Sequence, residues 1–170
     1  SSPPDLAPAP EFIAATGSTN ADLLARLRSG EHVREGHWLI ADRQSTGRGR
    51  QGRVWLDGPG NFMGSTVVQL HPGDPPPPSL SFVAALALYE AVLPRLTDPR
   101  ALMLKWPNDL LLAGAKLAGI LLEREANQAV IGIGVNLAAA PLVAGRVTDA
   151  LSAHGPAPAR DAFARDLAAS

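Results

Sequence analysis

Apolar and polar positions alternate, cluster and lapse along this chain in a way that sets out its elements before any chemistry is considered. Phe12 to Ala15 reads as a short strand. Thr16-Gly17-Ser18-Thr19-Asn20 then leads into a helix from about Ala21 to Ser29, capped by Ser18 or Thr19 and stopped by Gly30. Trp38 to Ala41 is a buried strand, and Asn61 to Leu70, rich in Val and Thr, is another. Pro75 to Pro78 predicts a stiff connector. Leu80 to Leu96 is apolar almost all round, with Ala84, Ala85, Ala87 and Ala91 suited to close approach, so a helix buried against a sheet is expected there. Four strands follow, Leu102 to Trp106, Leu110 to Ala113, Lys116 to Glu123 and Ala129 to Val135, joined by tight turns at meander spacing. Ala159 to Ala169 closes the chain as a helix. Strands and helices segregate, which predicts an α+β fold with a mixed or antiparallel sheet and helices packed on it. One domain over residues 11–170 is expected, behind a proline-rich flexible segment over residues 1–10.

Composition narrows the function classes. At 46% apolar and 18% charged residues the chain is globular, and a net charge of -1 provides no global positive field to draw it to nucleic acid or anionic lipid. It has no cysteine, no apolar run long enough to span a membrane and no recognisable leader, so disulfides, thiol catalysis and membrane insertion are not expected and a cytoplasmic home is the default. The histidines lie at no metal-ligand spacing, and no structural zinc is expected.

Against that neutral background one segment stands out. Gly47-Arg48-Gly49-Arg50-Gln51-Gly52-Arg53 interleaves arginines with glycines between two apolar runs. Glycine lets main-chain N–H groups approach an anion, and guanidinium forks match phosphate and carboxylate oxygens. Together with Arg43 these arginines repel one another, which predicts a loop that is mobile until an anion orders it. On these residues alone a solvated basic loop, or a nucleic-acid tract, stays open. Lys105 and Lys116 stand among apolar neighbours, where an ammonium is either on a solvated strand face or paired with an anion. Asn108 and Asp109 form a polar turn after Pro107; the carboxylate could also help hold Mg²⁺ beside a polyphosphate. Gly119, Gly132 and Gly134 interrupt strands that otherwise read as core, marking close approach by a ligand or another backbone.

Ser18-Thr19-Asn20, the loop from Gln44 to Arg53, Trp55, Gly60-Asn61, Lys105-Trp106-Pro107-Asn108-Asp109, Lys116-Leu117-Ala118-Gly119-Ile120-Leu121 and Gly132-Ile133-Gly134-Val135-Asn136 resemble biotin protein ligases in order and spacing. The resemblance runs over the whole chain from Phe12 onward. It implies a fold similar to class II aminoacyl-tRNA synthetases, and a ligase that makes biotinyl-5′-AMP from biotin and MgATP before passing biotin to a lysine of a biotin carboxyl carrier domain. Carried over residue by residue, it implies that Lys116, Arg48 and Arg50 are catalytic. Ser18, Thr19, Gln44, Gly47, Arg48, Arg50, Lys116 and Gly119 would bind biotin. Arg50, Arg53, Trp55, Lys105, Asn108, Asp109 and Asn136 would bind ATP and the adenylate, with Trp55 covering it, Asn136 reading adenine and Asp109 as a Mg²⁺ ligand.

Gln51 stands where the commonest form of this loop has another arginine, a change that leaves Arg48, Arg50 and Arg53 untouched. The resemblance also implies a small β-barrel-like domain beyond the terminal helix, so the expectation is a catalytic core with that domain absent or cut off at Ser170, and without the DNA-binding winged helix of bifunctional members. Lipoate protein ligases share the fold, but their paired arginines before a triple glycine and later His-Asp do not occur here. A nucleic-acid module would bring stacking aromatics and a basic domain, which one tyrosine, four phenylalanines and the negative net charge do not supply. A homodimer through an open sheet edge is an option, with the strand from Ala129 to Asn136 as the edge.

Overall fold

Residues 7–170 are described by a computed structural model; of the flexible segment expected over residues 1–10, residues 1–6 lie outside the described residues and 7–10 precede the first strand without regular structure. The chain runs β1 (Glu11–Thr16), α1 (Thr19–Arg28), β2 (Trp38–Gln44), β3 (Phe62–Gln69), α2 (Pro78–Val92), β4 (Leu102–Lys105), β5 (Asp109–Leu112), β6 (Ala115–Glu125), β7 (Gln128–Val135) and α3 (Arg160–Ala169). All seven strands form one sheet in the order β1-β2-β3-β7-β6-β5-β4. β1 lies parallel to β2, and the remaining pairs are antiparallel, so the sheet is mixed as expected.

Side chains alternate across a strand, and here the alternation sorts them onto two unlike faces. One face carries Ile40, Phe62, Ile120, Ile131, Ile133 and Val135, which pack with Leu88 of α2 and Phe163 and Leu167 of α3 in the main core. The other carries Leu39, Val67 and Val130 under Leu23 and Leu24 of α1. α1 covers only part of this second face. Farther along it, at the same parity, come Ser65, Gly132, Gly134 and Gly119, and the register pairs Ser65 with Gly132 and Gly134 with Gly119. Small residues thus leave a shelf where a sheet would normally bury bulk.

α1 begins as the sequence suggests. Ser18 is its cap, in extended conformation, and its side chain accepts from Ala21 N; Gly30, at φ +82°, lies just beyond its end in a backbone region favourable to glycine.

α2 packs against the sheet as expected, through Ala85, Leu88, Ala91 and Val92, but its outer side stays open, with Phe82, Val83 and Leu86 46%, 59% and 43% exposed. A helix on the outside of the sheet has one side to bury. One expectation is corrected. The strand from Ala129 onward cannot be a dimer edge, because β7 sits between β3 and β6 with both ladders filled; the outermost strands are β1 and β4. No helix among the described residues is long and apolar enough to cross a membrane.

Candidate functional site

A cavity of about 260 Å³ lies over the glycine shelf, walled by the arginine loop, the turn between β4 and β5 and the returning segment around Arg146 and Thr148. Its polar end is built on the start of α1. Ser18, Thr19 and Asn20 are each 3% exposed and Ser65 is fully buried. Gln44 Oε1 accepts from Thr19 N at 2.8 Å and lies 3.1 Å from Thr19 Oγ1, which is 2.7 Å from Ser65 Oγ. Asn20 Nδ2 donates to Glu123 Oε2 at 3.0 Å. Gly132 makes room for this network, since a Cβ there would lie 2.3 Å from Asn20 Oδ1.

The arginine loop hangs between antiparallel β2 and β3, as the sequence predicts. Gly49 N donates to Arg53 O at 2.7 Å and Trp55 N to Gly47 O at 2.8 Å, closing a turn in which Gln51 and Gly52 adopt φ +58° and +70°. Trp55 is thereby laid over the shelf: a Cβ on Gly134 would sit 2.3 Å from its ring, and one on Gly119 3.1 Å from it. The approach that these strand glycines signal is made by the chain's own Trp55 and Asn20.

The repulsion expected among the loop arginines is relieved within the chain for two of the four, Arg43 and Arg48. Arg43 pairs with Asp57 at 2.6 Å, Arg48 with Glu123 at 3.2 Å, and Arg50 Nη1 donates to Asn108 Oδ1 at 3.1 Å. No local pattern announces these partners, which lie 14, 75 and 58 residues away. Gly47 does not line this cavity; it lines a second, more open pocket with Ser45, Thr46, Leu121 and Glu123, and a Cβ there would meet Trp55 O at 2.5 Å. The other residues expected at the site all line the cavity.

Lys116 is the one lysine here that is truly desolvated. Its side chain is 16% exposed and its Nζ lies 2.9 Å from Asp109 Oδ1 and 5.6 Å from the Trp55 ring centroid. Burial pushes its ammonium below the ordinary lysine value, Asp109 works against that shift, and Arg146 and Arg53 add to it. Lys105 differs: it is exposed at the end of outer strand β4, so its apolar neighbours in sequence do not bury it. Asn108 is a strut, its Nδ2 donating to Ile120 O at 2.6 Å.

Asn136, 3% exposed, donates through Nδ2 to Asp149 O at 3.1 Å, and Asn61 Oδ1 accepts from Ala138 N and Ala139 N at 2.9 and 3.0 Å. These amides tie down the segment after β7, which returns to bridge the start of β6: Lys116 N donates to Val147 O and Asp149 N to Lys116 O. That return brings Arg146 and Thr148 to the cavity, residues that sequence reasoning missed along with Ser65 and Glu123. A buried serine in a Val-rich strand and an acid ending an apolar run were the only local signals for the last two. Six cationic side chains, those of Arg48, Arg50, Arg53, Lys105, Lys116 and Arg146, line the cavity against a single carboxylate, Asp109. Arg53, Lys105 and Arg146 have no carboxylate partner among the described residues.

The site is thus a small-residue shelf on a mixed sheet with a hydroxyl-rich end and an excess of cations, an arrangement suited to an anionic ligand. The chain belongs to the Biotin/lipoate A/B protein ligase family, which it matches over residues 12–136. It is 48% identical over 135 residues to a biotin–[acetyl-CoA-carboxylase] ligase of Paracoccus denitrificans, covering 76% of this chain and 55% of that protein. It is 44% identical over 136 residues to the ligase of the same name in Mycobacterium tuberculosis, covering 77% and 50%. The chain thus spans about half the length of these curated relatives. Among solved structures, biotin protein ligase of Leishmania major in complex with biotinyl-5-AMP superimposes with a TM-score of 0.79 at 26% identity, over 94% of this chain and 72% of that one. The Aquifex aeolicus enzyme in complex with biotin and ATP gives 0.81 at 26% identity, over 94% and 67%. The class II synthetase-like catalytic fold implied by the resemblance is therefore the fold of this chain.

Proposed function

We propose that this chain carries the catalytic core of a biotin protein ligase, activating biotin with ATP to biotinyl-5′-AMP and passing biotin to a lysine of a biotin carboxyl carrier domain. The observation that carries the reading is the cavity itself, in which six cations and one carboxylate surround a glycine shelf that ends in Ser18, Thr19 and Gln44. Two anions must meet there. A carboxylate oxygen of biotin attacks the α-phosphorus of ATP, the bond to the bridging oxygen breaks, and pyrophosphate leaves with the electron pair. Cations fixed at the meeting point offset the repulsion and favour the transition state. Lys116, Arg48 and Arg50 are the groups assigned to that centre. Arg53, Lys105 and Arg146, without carboxylate partners among the described residues, suit the departing phosphates. In the second step the carrier amine attacks the acyl carbon and AMP leaves.

Ser18, Thr19 and Gln44 are assigned to the polar ring of biotin. Gly119 leaves room for ligand or Trp55 above it, and Gly47 acts through the loop turn. Trp55 over Gly134 suits stacking on the adenylate. Asn136, with its amide engaged on Asp149 O, supports adenine recognition by holding the segment after β7. Magnesium would arrive on the phosphate oxygens of ATP. No group of three or more acidic or histidine side chains among the described residues could hold a metal, and Asp109 is the protein carboxylate available to it. The polar end favours biotin over lipoate, whose ring offers no N–H donor.

Mass spectrometry of the protein after incubation with biotin and MgATP tests the first step, and labelling of a carrier domain tests the second. Bound biotinyl-AMP is expected, with none of the lipoyl counterpart when lipoate replaces biotin. Absence of both products, in a sample whose fold is intact, would sink the proposal.

A further inference from the structure

The polar end of the cavity holds a hydrogen-bond chain whose protons can be counted. Gln44 Oε1 accepts the backbone N–H of Thr19 at 2.8 Å, and this turns the amide oxygen toward Thr19. Asn20 Nδ2 donates to the acceptor-only carboxylate of Glu123 at 3.0 Å, which leaves Asn20 Oδ1 facing Ser65. Between these two fixed oxygens stand the hydroxyls of Thr19 and Ser65. The contacts run 3.1 Å from Gln44 Oε1 to Thr19 Oγ1, 2.7 Å from there to Ser65 Oγ, and 2.5 Å on to Asn20 Oδ1.

Each hydroxyl carries one proton, so two protons serve three contacts and one contact has none. Oxygens facing one another without a proton repel, and the proton-free contact therefore falls at the longest separation. Donation runs from Thr19 to Ser65 to Asn20 and on to Glu123. Thr19 Oγ1 and Gln44 Oε1 are left facing each other with lone pairs only.

We infer that Asn20 and Ser65 are positioning residues that keep Thr19 Oγ1 and Gln44 Oε1 as a proton-free acceptor pair, so that the site selects a ligand presenting an N–H donor at that point. This deepens the biotin reading and rests on it: a cyclic urea offers such a donor, and a dithiolane does not. Thr19, Gln44 and Ser65 all line the cavity, and Thr19, Asn20 and Ser65 are at most 3% exposed, so the chain is held by packing rather than averaged over rotamers. β7 also omits a side chain at Gly132, where a Cβ would overlap Asn20 Oδ1. A buried acceptor pair that meets no donor loses water without recompense, which penalises ligands lacking one.

Calorimetric titration with biotin and with lipoate, on the wild-type chain, Ser65→Ala and Gly132→Ala, tests this, with thermal unfolding followed alongside. In Ser65→Ala the Thr19 proton turns to Gln44 and fills the vacancy meant for the ligand. Biotin affinity is expected to fall about tenfold while lipoate binding stays as it was, so the ratio between the two shrinks. Gly132→Ala changes no hydrogen-bonding group but displaces Asn20, and should shrink the ratio in the same way. A ratio unchanged in both variants, or equal loss of both ligands, overturns the inference. A wild-type chain with no preference for biotin overturns the biotin reading as well, whereas a preference that survives Ser65→Ala overturns the inference alone.

Discussion

Trp55 and Gly134 share one volume: a β-carbon on residue 134 would sit 2.3 Å from the indole that the arginine loop lays across the sheet. The loop's position and the strand's sequence are thus one feature. Gly134 needs no special backbone angle, so its conformational freedom is not what the fold uses; the space is.

Replacing Gly134 by Ala should therefore lift Trp55 off the shelf. Overpacking of this kind costs about 1–3 kcal/mol when rigid neighbours must yield. Here a loop can move instead, so we expect a modest fall in Tm and a larger fall in ATP–pyrophosphate exchange. Tryptophan emission in a Trp106→Phe background, compared with the same background lacking Trp55 so that the contribution of buried Trp38 is subtracted, reads the ring's environment. An unshifted spectrum would show that Trp55 is held by something other than the shelf.

Lys116→Ala should nearly abolish adenylate formation with the fold intact. Leaving Asp109 half-buried and unpaired, together with losing the cation at the reacting phosphate, corresponds to about 3–5 kcal/mol, a rate loss of hundreds to thousands-fold. Exchange within tenfold of wild type would refute the role. The lowered ammonium pKa adds a pH signature. The reacting species is the cation, present below the folded pKa, so activity should fall as pH rises through that value, earlier than for an ordinary lysine at 10.5. Asp109 raises this pKa, and Asp109→Asn should move the alkaline limb to lower pH. The stability effect has the opposite slope: burying the charge costs most below the folded pKa, and the cost fades toward pH 10.5.

Glu123→Gln keeps an acceptor for Asn20 but removes the charge that holds Arg48. The pair is partly exposed, so global stability should change by less than about 1 kcal/mol. The loop should respond more. Trypsin is expected to cut after Arg48 faster in the variant than in wild type, and biotin plus ATP should slow both. Equal cutting in wild type and variant would mean that Glu123 does not latch the loop.

Arg146→Ala is expected to weaken pyrophosphate and ATP binding about three- to tenfold while leaving biotin affinity within twofold. Arg146 lines the cavity without a carboxylate partner among the described residues, and its turn is held by backbone contact from Arg146 N to Val143 O at 3.1 Å, so the side chain can go without loss of the segment. Titration with inorganic pyrophosphate measures it without turnover. No change would assign the phosphates to Arg53 and Lys105 alone.

The strands, the helices and the motif residues were legible because their signals are local: alternation marks β3 and β7, Ser18 and Gly30 bracket α1, and the Gly-Arg loop announces an anion site. What was not legible depends on who meets whom across the sheet. Lys105 and Lys116 look alike in sequence, yet one ends an exposed outer strand and the other faces Asp109 under Trp55. The Arg48 and Arg50 partners, Glu123 and Asn108, lie 75 and 58 residues away and follow only from register. The strand assigned as a free edge turned out to be central, because meander spacing fixes which strands are neighbours among β4 to β7 and says nothing of where β3 inserts. Arg146 was missed because its turn carries no motif.

That turn is joined to Lys116 through main-chain groups, Lys116 N to Val147 O and Asp149 N to Lys116 O, and it lies beyond residue 136, where the family match ends. Main-chain hydrogen bonds do not read side-chain identity. The wall of the cavity nearest Arg146 can therefore accept new side chains while Lys116 keeps its seat. If Arg146 meets the phosphates of ATP as proposed, selection or a protein engineer can tune nucleotide affinity there without touching Ser18, Thr19 or Gln44.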